Sequence, residues 1–204
     1  ARGPVIIRTQ QIDTLSQLAQ QTFETRLLAH IKDCFPVHYR EVGPDRLRLV
    51  IRQGIEKAAQ YGMQGQREIY LFVSLMLFFG SSFDTDPQLG WAAAGLKNPS
   101  EPIPFDRMEA TYDIAAEYLD RVAGPNGENL ANAIGRFMEG KTLASLHPEK
   151  FRELDGTQLS QLQTQSEESA RQYGLDAAGV TPKTTLAFLP RHGLVPAPLF
   201  FLAS

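Results

Sequence analysis

Residues 69–79 read Ile-Tyr-Leu-Phe-Val-Ser-Leu-Met-Leu-Phe-Phe, an apolar run that only Ser74 interrupts before Gly80 closes it. A helix that is apolar on every side has to be covered on every side by other elements. The run is too short to span a bilayer, which takes about 20 apolar residues, and Arg67 and Glu68 stand directly before it. The sequence therefore predicts a buried helix from about Gln66 to Phe79, and no membrane anchor, at the centre of the fold.

The composition is that of an ordinary globular chain. Its 204 residues suffice for a single domain, 1–204, and 20 basic residues against 23 acidic ones give a net charge of −3. This balance argues against nucleic-acid binding, which is normally marked by a basic stripe. Cys34 is the only cysteine, so the chain has no internal disulfide and fits a reducing compartment. We expect a cytoplasmic protein.

Apolar residues at spacings of three and four predict a series of amphipathic helices around the central run. Gly54, in the middle of one of them, indicates that a neighbouring helix approaches closely there. Three prolines between Asn98 and Pro104 predict a loop. The expected helices cover 11–34, 45–61, 66–79, a short helix that Asp86 caps and that runs from Pro87 to Leu96, then 105–122, 128–138, a short helix from Leu143, and 158–173.

Beyond Gly174 prolines break any helical period, and a short strand fits only 184–189. We therefore predict an all-α multi-helix bundle with a proline-rich, partly extended C-terminal tail. Six residues are expected to shape the turns and the core of its first half. These structural residues are Tyr61, Gly62, Gly80, Phe83, Asp86 and Trp91.

Two segments of the chain resemble each other at a separation of 112 residues. Residues 36–62 align without gaps to 148–174, and ten of the 27 positions are identical. One interpretation is chance similarity between two amphipathic helices. The other is a duplicated helical unit, with repeat units 11–97 and 128–204 joined by the helix 104–123. Because Gln163 and Glu167 replace Ile51 and Ile55, the helix of the second unit should lie at the outside of the bundle.

The sequence contains no recognisable catalytic or cofactor motif. His30 and Cys34 stand four residues apart on a predicted helix, but two ligands make a poor metal site. Asp84 and Asp86 resemble the start of a calcium loop that lacks its glycine and its bidentate glutamate. The acidic residues of helix 105–122 are best interpreted as a solvated face. We assign no catalytic, cofactor-binding or metal-binding residue and expect a protein without a cofactor that is not an enzyme.

The order of features from Ile7 to Leu96 resembles a family of small proteins encoded in bacterial type VI secretion clusters, near spike, PAAR-tip and effector genes. The similarity covers somewhat under half of the chain, and Met63–Gln66 departs from the acidic helix start of the family. The matching elements are Phe23 to Arg26, Phe35-Pro36, Ile51 to Ile55, Tyr61-Gly62, Gly80, Phe83 to Pro87, and Trp91.

This resemblance implies a role in effector handling and places no catalytic residue on the chain. We expect a non-enzymatic adaptor or co-chaperone that binds a type VI effector, its loading adaptor or a spike or tip protein before export. The alternative is an immunity protein that neutralises a cognate toxin. An apolar stretch near the C-terminus is expected to bind the partner, unless it covers the protein's own core. Its residues are Leu194, Val195, Leu199, Phe200, Phe201 and Leu202.

Overall fold

The computed structural model describes residues 9–124, 127–139, 142–162 and 164. This part of the chain is all α-helical and contains no strand, as the sequence predicted. The predicted strand 184–189 and the C-terminal tail lie outside the described residues. The helices are α1 (Thr9–Cys34), α2 (Pro36–Val42), α3 (Pro44–Gln60), α4 (Gln66–Phe79), α5 (Gly90–Leu96), α6 (Pro104–Ala123), α7 (Glu128–Met138), α8 (Leu143–Leu146) and α9 (Pro148–Arg152). A 3-10 turn (Pro87–Leu89) precedes α5, and residues 156–162 form a further helical segment.

Helix α4 is the central helix, with the bounds that the sequence predicts. It packs against α3 and α6, and α1 covers it further, since the rings of His30 and Tyr70 lie 4.2 Å apart. Phe72 and Val73 have no exposed surface. Nothing among the described helices is both long and apolar enough to cross a membrane.

Gly54 of α3 lies where α3 approaches α4 most closely. A Cβ atom built on Gly54 would lie 2.5 Å from Cγ2 of Val73 and 3.2 Å from the sulfur of Met76. The first distance is well below van der Waals contact, so only a residue without a side chain allows α4 to pack at this depth. The close helix packing expected at Gly54 is therefore present.

The helix ends follow local chemistry. Pro36 lies just beyond α1 and is the first residue of the short helix α2, where its missing N–H is no loss. The N–H of Tyr39 donates to the carbonyl of Phe35 across this junction at 2.9 Å. Gly62, with φ of 78°, follows α3 in the left-handed conformation that often ends a helix.

An aromatic cluster joins α4, α5 and α6. The ring of Trp91 lies 5.3 Å from that of Phe79 and 5.6 Å from that of Tyr118. Close to it, α5 approaches α6 so tightly that a Cβ on Gly95 would lie 2.6 Å from Oγ1 of Thr111. These contacts make α5 and α6 one body with the central helix.

The described C-terminal part has a small core of its own. Buried Leu146, Leu154 and Leu162 pack together with Phe151 and Leu159. Arg121 of α6 forms an ion pair with Glu153, the residue that follows α9, and Nε of Arg121 lies 3.1 Å from Oε1 of Glu153. Both side chains are partly exposed. This second core is much smaller than the first, in keeping with an outer position.

The two aligned segments begin in the same way. Proline opens α2 at position 36 and α9 at position 148, and the next helix begins at Pro44 in one segment and at Gly156, the aligned position, in the other. Their alignment continues to residue 174, which lies outside the described residues. The duplication and its two units, 11–97 and 128–204, therefore stay predictions.

Replacing Gly54 tests the closeness of α3 and α4. Gly54→Ala gains helix propensity of about 1 kcal/mol, but its new methyl group has to displace Val73. Overpacking of this kind costs about 1–3 kcal/mol. We expect a net loss in the free energy of unfolding, measured by urea denaturation.

Gly135 of α7 provides the matched control, because a Cβ there would meet nothing within 4 Å. Gly135→Ala should raise the free energy of unfolding by about 0.5–1 kcal/mol. Equal stabilisation by both substitutions would show that α3 and α4 do not pack as closely as described.

Candidate functional site

The loop from Phe83 to Pro87 is held against the helices by contacts of its own residues. Phe83 is fully buried, with its ring 5.0 Å from that of Phe72. Asp86 is the N-cap of the turn that follows, because its side chain accepts the backbone N–H of Gln88 at 2.9 Å. Pro87 occupies the first position of this turn. Thr85 precedes Asp86 in this loop, and its side chain is exposed.

Asp84 holds the inner side of this loop through a buried ionic network. Lys57 donates to one carboxylate oxygen of Asp84 at 2.7 Å and to the carbonyl of Ser81 at 2.8 Å. The hydroxyl of Tyr61 donates to the other carboxylate oxygen at 3.1 Å. The Asp84 side chain is only 4% exposed. A buried charge needs such partners to offset its lost hydration, so these contacts fix the loop to α3.

Tyr61 remains protonated in this network. Burial, followed by the negative charge of Asp84 and the hydrogen bond to it, raises the pKa of Tyr61 to about 12. Its backbone carbonyl accepts Nη2 of Arg107 at 2.6 Å. Tyr61 therefore connects the end of α3 with both the loop and α6.

An open cleft of about 470 Å³ lies over the outer side of the same loop. One wall is formed by Thr85 and Pro87, and the other by the helical segment 156–162 together with Thr164. Its lining side chains carry four hydroxyl groups and one amide. Such a surface can exchange hydrogen bonds with a polar ligand or with the backbone of a peptide. The lining residues are Thr85, Pro87, Thr157, Ser160, Gln161 and Thr164.

A reciprocal cap sets the wall formed by 156–162. The side chain of Asp155 accepts the N–H of Gln158, and the side chain of Gln158 accepts the N–H of Asp155, each at 2.8 Å. This arrangement is a capping box, which fixes the start of a helix. A Cβ on Gly90 would lie 2.8 Å from Nε2 of Gln158. The side chain of Gln158 thus reaches the start of α5.

The His30 and Cys34 pair is present, but its thiol is not activated. The sulfur lies 3.5 Å from Nδ1 of His30. Burial, reinforced by the charge of Asp33, raises the pKa of Cys34, and burial lowers that of His30. Because the thiolate is the reactive form of cysteine, these shifts oppose nucleophilic chemistry at this pair. Within the described part of the chain, no three His, Cys, Asp or Glu side chains are grouped to hold a metal ion.

Asp84 and Asp86, which resembled a calcium loop, have other roles here. One belongs to the ionic network and the other caps a turn. The predicted acidic face of α6 is partly paired, since Glu109 lies 2.7 Å from Arg67 and Glu117 lies 4.0 Å from Arg121.

The predicted structural residues lie around the loop and the aromatic cluster beside it. Tyr61, Phe83 and Asp86 have the contacts given above, Gly80 has a φ of 99° at the end of α4, and Trp91 lies in the aromatic cluster. All six predicted partner-binding residues, Leu194, Val195, Leu199, Phe200, Phe201 and Leu202, lie outside the described residues.

Neither the contact of Lys57 with Asp84 nor the cleft was predicted from the sequence. Lys57 and Tyr61 are four residues apart and therefore share one face of α3, which is a signal that they could meet one acidic partner. The cleft residues come from two distant segments, and no local spacing relates them.

Comparison with protein-family models, curated proteins and solved structures finds no match to this chain. Its function is therefore inferred from the sequence resemblance given above and from the geometry just described.

Asp84→Asn tests the network that holds the loop. The substitution leaves Lys57, itself 20% exposed, without its counter-charge in a largely buried position. Removing one partner of a buried pair costs roughly 3–5 kcal/mol, and partial hydration of Lys57 favours the lower end. We expect the free energy of unfolding to fall by about 3 kcal/mol in urea denaturation.

Glu41→Gln is the control, because it removes an ion pair with Arg40 whose two side chains are 65% and 73% exposed. Such a pair contributes about 0–1 kcal/mol. If Asp84→Asn were no more destabilising than Glu41→Gln, the ionic network would not hold the loop.

Proposed function

We propose that this protein is a non-enzymatic adaptor or co-chaperone of a bacterial type VI secretion system. It binds an effector, the loading adaptor of an effector, or a spike or tip protein in the cytoplasm before export. The proposal rests on the resemblance of its first half to proteins encoded in type VI secretion clusters.

The observation that carries the proposal is the role of the residues in that resemblance. Phe23 and Phe35 are buried in the core, Gly54 admits α4, and Phe83 and Asp86 fix the loop. The shared pattern therefore describes a rigid helical body. A rigid body with few groups free for chemistry supports a binding role, because a preorganised surface loses less entropy on association.

Two regions are suited to a partner. The C-terminal stretch from Leu194 to Leu202 offers apolar and aromatic side chains, the kind that dominate binding energy at an interface centre. The cleft beside Thr85 and Ser160 offers polar groups suited to the rim of an interface. The chain continues from this cleft into the residues that include the apolar stretch.

Affinity capture from the native strain tests the function. The full-length protein, tagged at its N-terminus, should recover a spike protein, a tip protein, a loading adaptor or an effector bound to one of them. Deletion of its gene should then reduce effector export and leave the viability of the strain unchanged.

The immunity alternative predicts a different pattern. Capture of a toxin alone, together with self-killing when the gene is deleted, would replace the adaptor proposal by the immunity function. Captured material that contains neither a toxin nor a spike protein, tip protein, loading adaptor or other effector would contradict both.

Deletion of residues 194–204 tests the binding stretch. We expect partner capture to be lost, because the deletion removes Phe200, Phe201 and Leu202 together. Helicity, measured by far-ultraviolet circular dichroism, should be retained, since the main core is built from Phe23 to Val122.

Leu49→Ser provides a control for the loss of exposed apolar surface elsewhere. Leu49 is 62% exposed on α3, and its replacement should leave capture unchanged. Capture that survives the deletion would rule out the binding stretch. Loss of helicity in the deletion variant would show instead that the stretch covers the protein's own core.

A further inference from the structure

His147 lies at the joint between α8 and α9, and its side chain is completely buried. It is the N-cap of α9, since its Nδ1 accepts the backbone N–H of Lys150 at 3.4 Å. Leu146, the neighbouring residue, belongs to the small C-terminal core. The carbonyl of Leu146 also accepts a hydrogen bond from Arg136 of α7 at 3.4 Å. Any change in His147 therefore acts on the joint that positions α9 and the segment 156–162.

The first half of the chain uses an apolar residue at the corresponding place. Phe35 stands directly before Pro36, as His147 stands directly before Pro148; it is the N-cap of α2 and is 4% exposed in the main core. An aromatic ring without a titratable group thus suffices to seat a short proline-headed helix. The imidazole of His147 adds something that this packing does not require.

Two partners compete for Nδ1 of His147. The N–H of Lys150 can donate to Nδ1 only while this nitrogen carries no proton. The carboxylate of Glu149 also lies 3.3 Å from Nδ1. It can accept a hydrogen bond from Nδ1 only when Nδ1 carries a proton. Proton uptake would thus exchange the helix cap for an ion pair.

The surrounding charges set the direction in which this exchange acts. Lys150 and Glu149 of α9 and Arg136 of α7 are the charged groups that act on the ring. Lys150 and Arg136 oppose a positive charge on His147, whereas Glu149 favours it. The neutral ring carries its proton on Nε2 while Nδ1 accepts the N–H of Lys150; Nε2 is buried and has no hydrogen-bond partner among the described residues. A second proton therefore binds at Nδ1.

We propose that His147 is a pH-sensitive cap, and that its protonation loosens α9 and the segment 156–162 from the bundle. The device acts on the wall of the cleft beside Thr85, since Thr157, Ser160 and Gln161 belong to that segment. Acidification opens this wall while the main core around α4 stays folded.

The electrostatics agree in sign with this device. Burial, followed by the charge of Lys150, lowers the pKa of His147 in the folded protein, and the opposite effect of Glu149 is smaller. The opened state therefore binds the proton more readily than the folded one. The stability of this unit is complete above about pH 6.5, the ordinary pKa of histidine, and decreases as the pH falls below it.

Hydrogen exchange of the full-length protein tests the proposal. Protection factors, corrected for intrinsic exchange, would be measured by mass spectrometry between pH 7.5 and 5.0. In peptides covering 148–162, uptake of one proton on opening should increase the opening constant up to about tenfold for each pH unit below about 6.5. Peptides of α4 should stay much better protected than those of 148–162 at every pH, because the main core has to open before they exchange. Their own pH dependence reports His30 and His38, whose pKa values burial also lowers.

Three variants separate the device from a merely structural role. His147→Asn keeps an N-cap without a titratable ring, and its exchange over 148–162 should be independent of pH. Glu149→Gln removes the group that favours the proton in the folded state, so the opening constant should keep its onset near pH 6.5 but rise further towards low pH. His38→Gln, the matched control at a half-buried histidine, should leave the pH dependence over 148–162 unchanged.

A pH dependence over 148–162 that persists in His147→Asn would overturn the proposal. If His147→Asn were open at every pH, the decision would rest on Glu149→Gln and His147→Phe. A smaller acid-induced rise of the opening constant in Glu149→Gln than in the unsubstituted protein, or a pH-dependent opening in His147→Phe, would also overturn it. A rise at least as large in the first, with opening independent of pH in the second, would support it.

Discussion

The structure depends on the need to cover α4 on all sides. Its buried residues include Leu71, Phe72, Val73 and Leu75, which point in successive directions around the helix, so no face can remain in water without loss of hydrophobic stabilisation. Helices α1, α3 and α6 supply the cover. The closeness of α3 follows from this need, because Gly54 lets the helix surfaces meet without a gap. A cavity at this contact would weaken the main core directly.

The loop after α4 shows how the same constraint reaches the candidate site. Gly80 ends α4, and the chain has to return across the end of α3 before α5 begins. Phe83 continues the apolar cover, while Asp84 brings a charge to a buried position where Lys57 and Tyr61 offset its desolvation. The inner side of the loop is thus held by strong contacts, and its outer side, with Thr85, is left to the cleft. Rigidity beneath and polar groups above are suited to recognition.

Local signals predicted most of the helices, because each depends on residues close in sequence. The apolar run gave the bounds of α4, and proline and glycine marked most of the ends. The helix expected to begin at 158 begins at 156, because Asp155 and Gln158 form a capping box there. The prediction from the sequence did not use this pair. The ionic network and the cleft could not be found in this way. They join residues 23 or more positions apart, and their contacts depend on how the helices cross.

The comparison of Phe35 with His147 indicates where the two halves of the chain diverge in physical terms. Both residues cap a short helix that proline opens, and both are buried. Phe35 has no titratable group and joins a large core. His147 lies beside a core of only three buried leucines within the described residues. The free energy of a single protonation is therefore a larger fraction of the stability of that unit. The same cap position is a fixed joint in one half and a responsive joint in the other, because the amount of apolar cover around it differs.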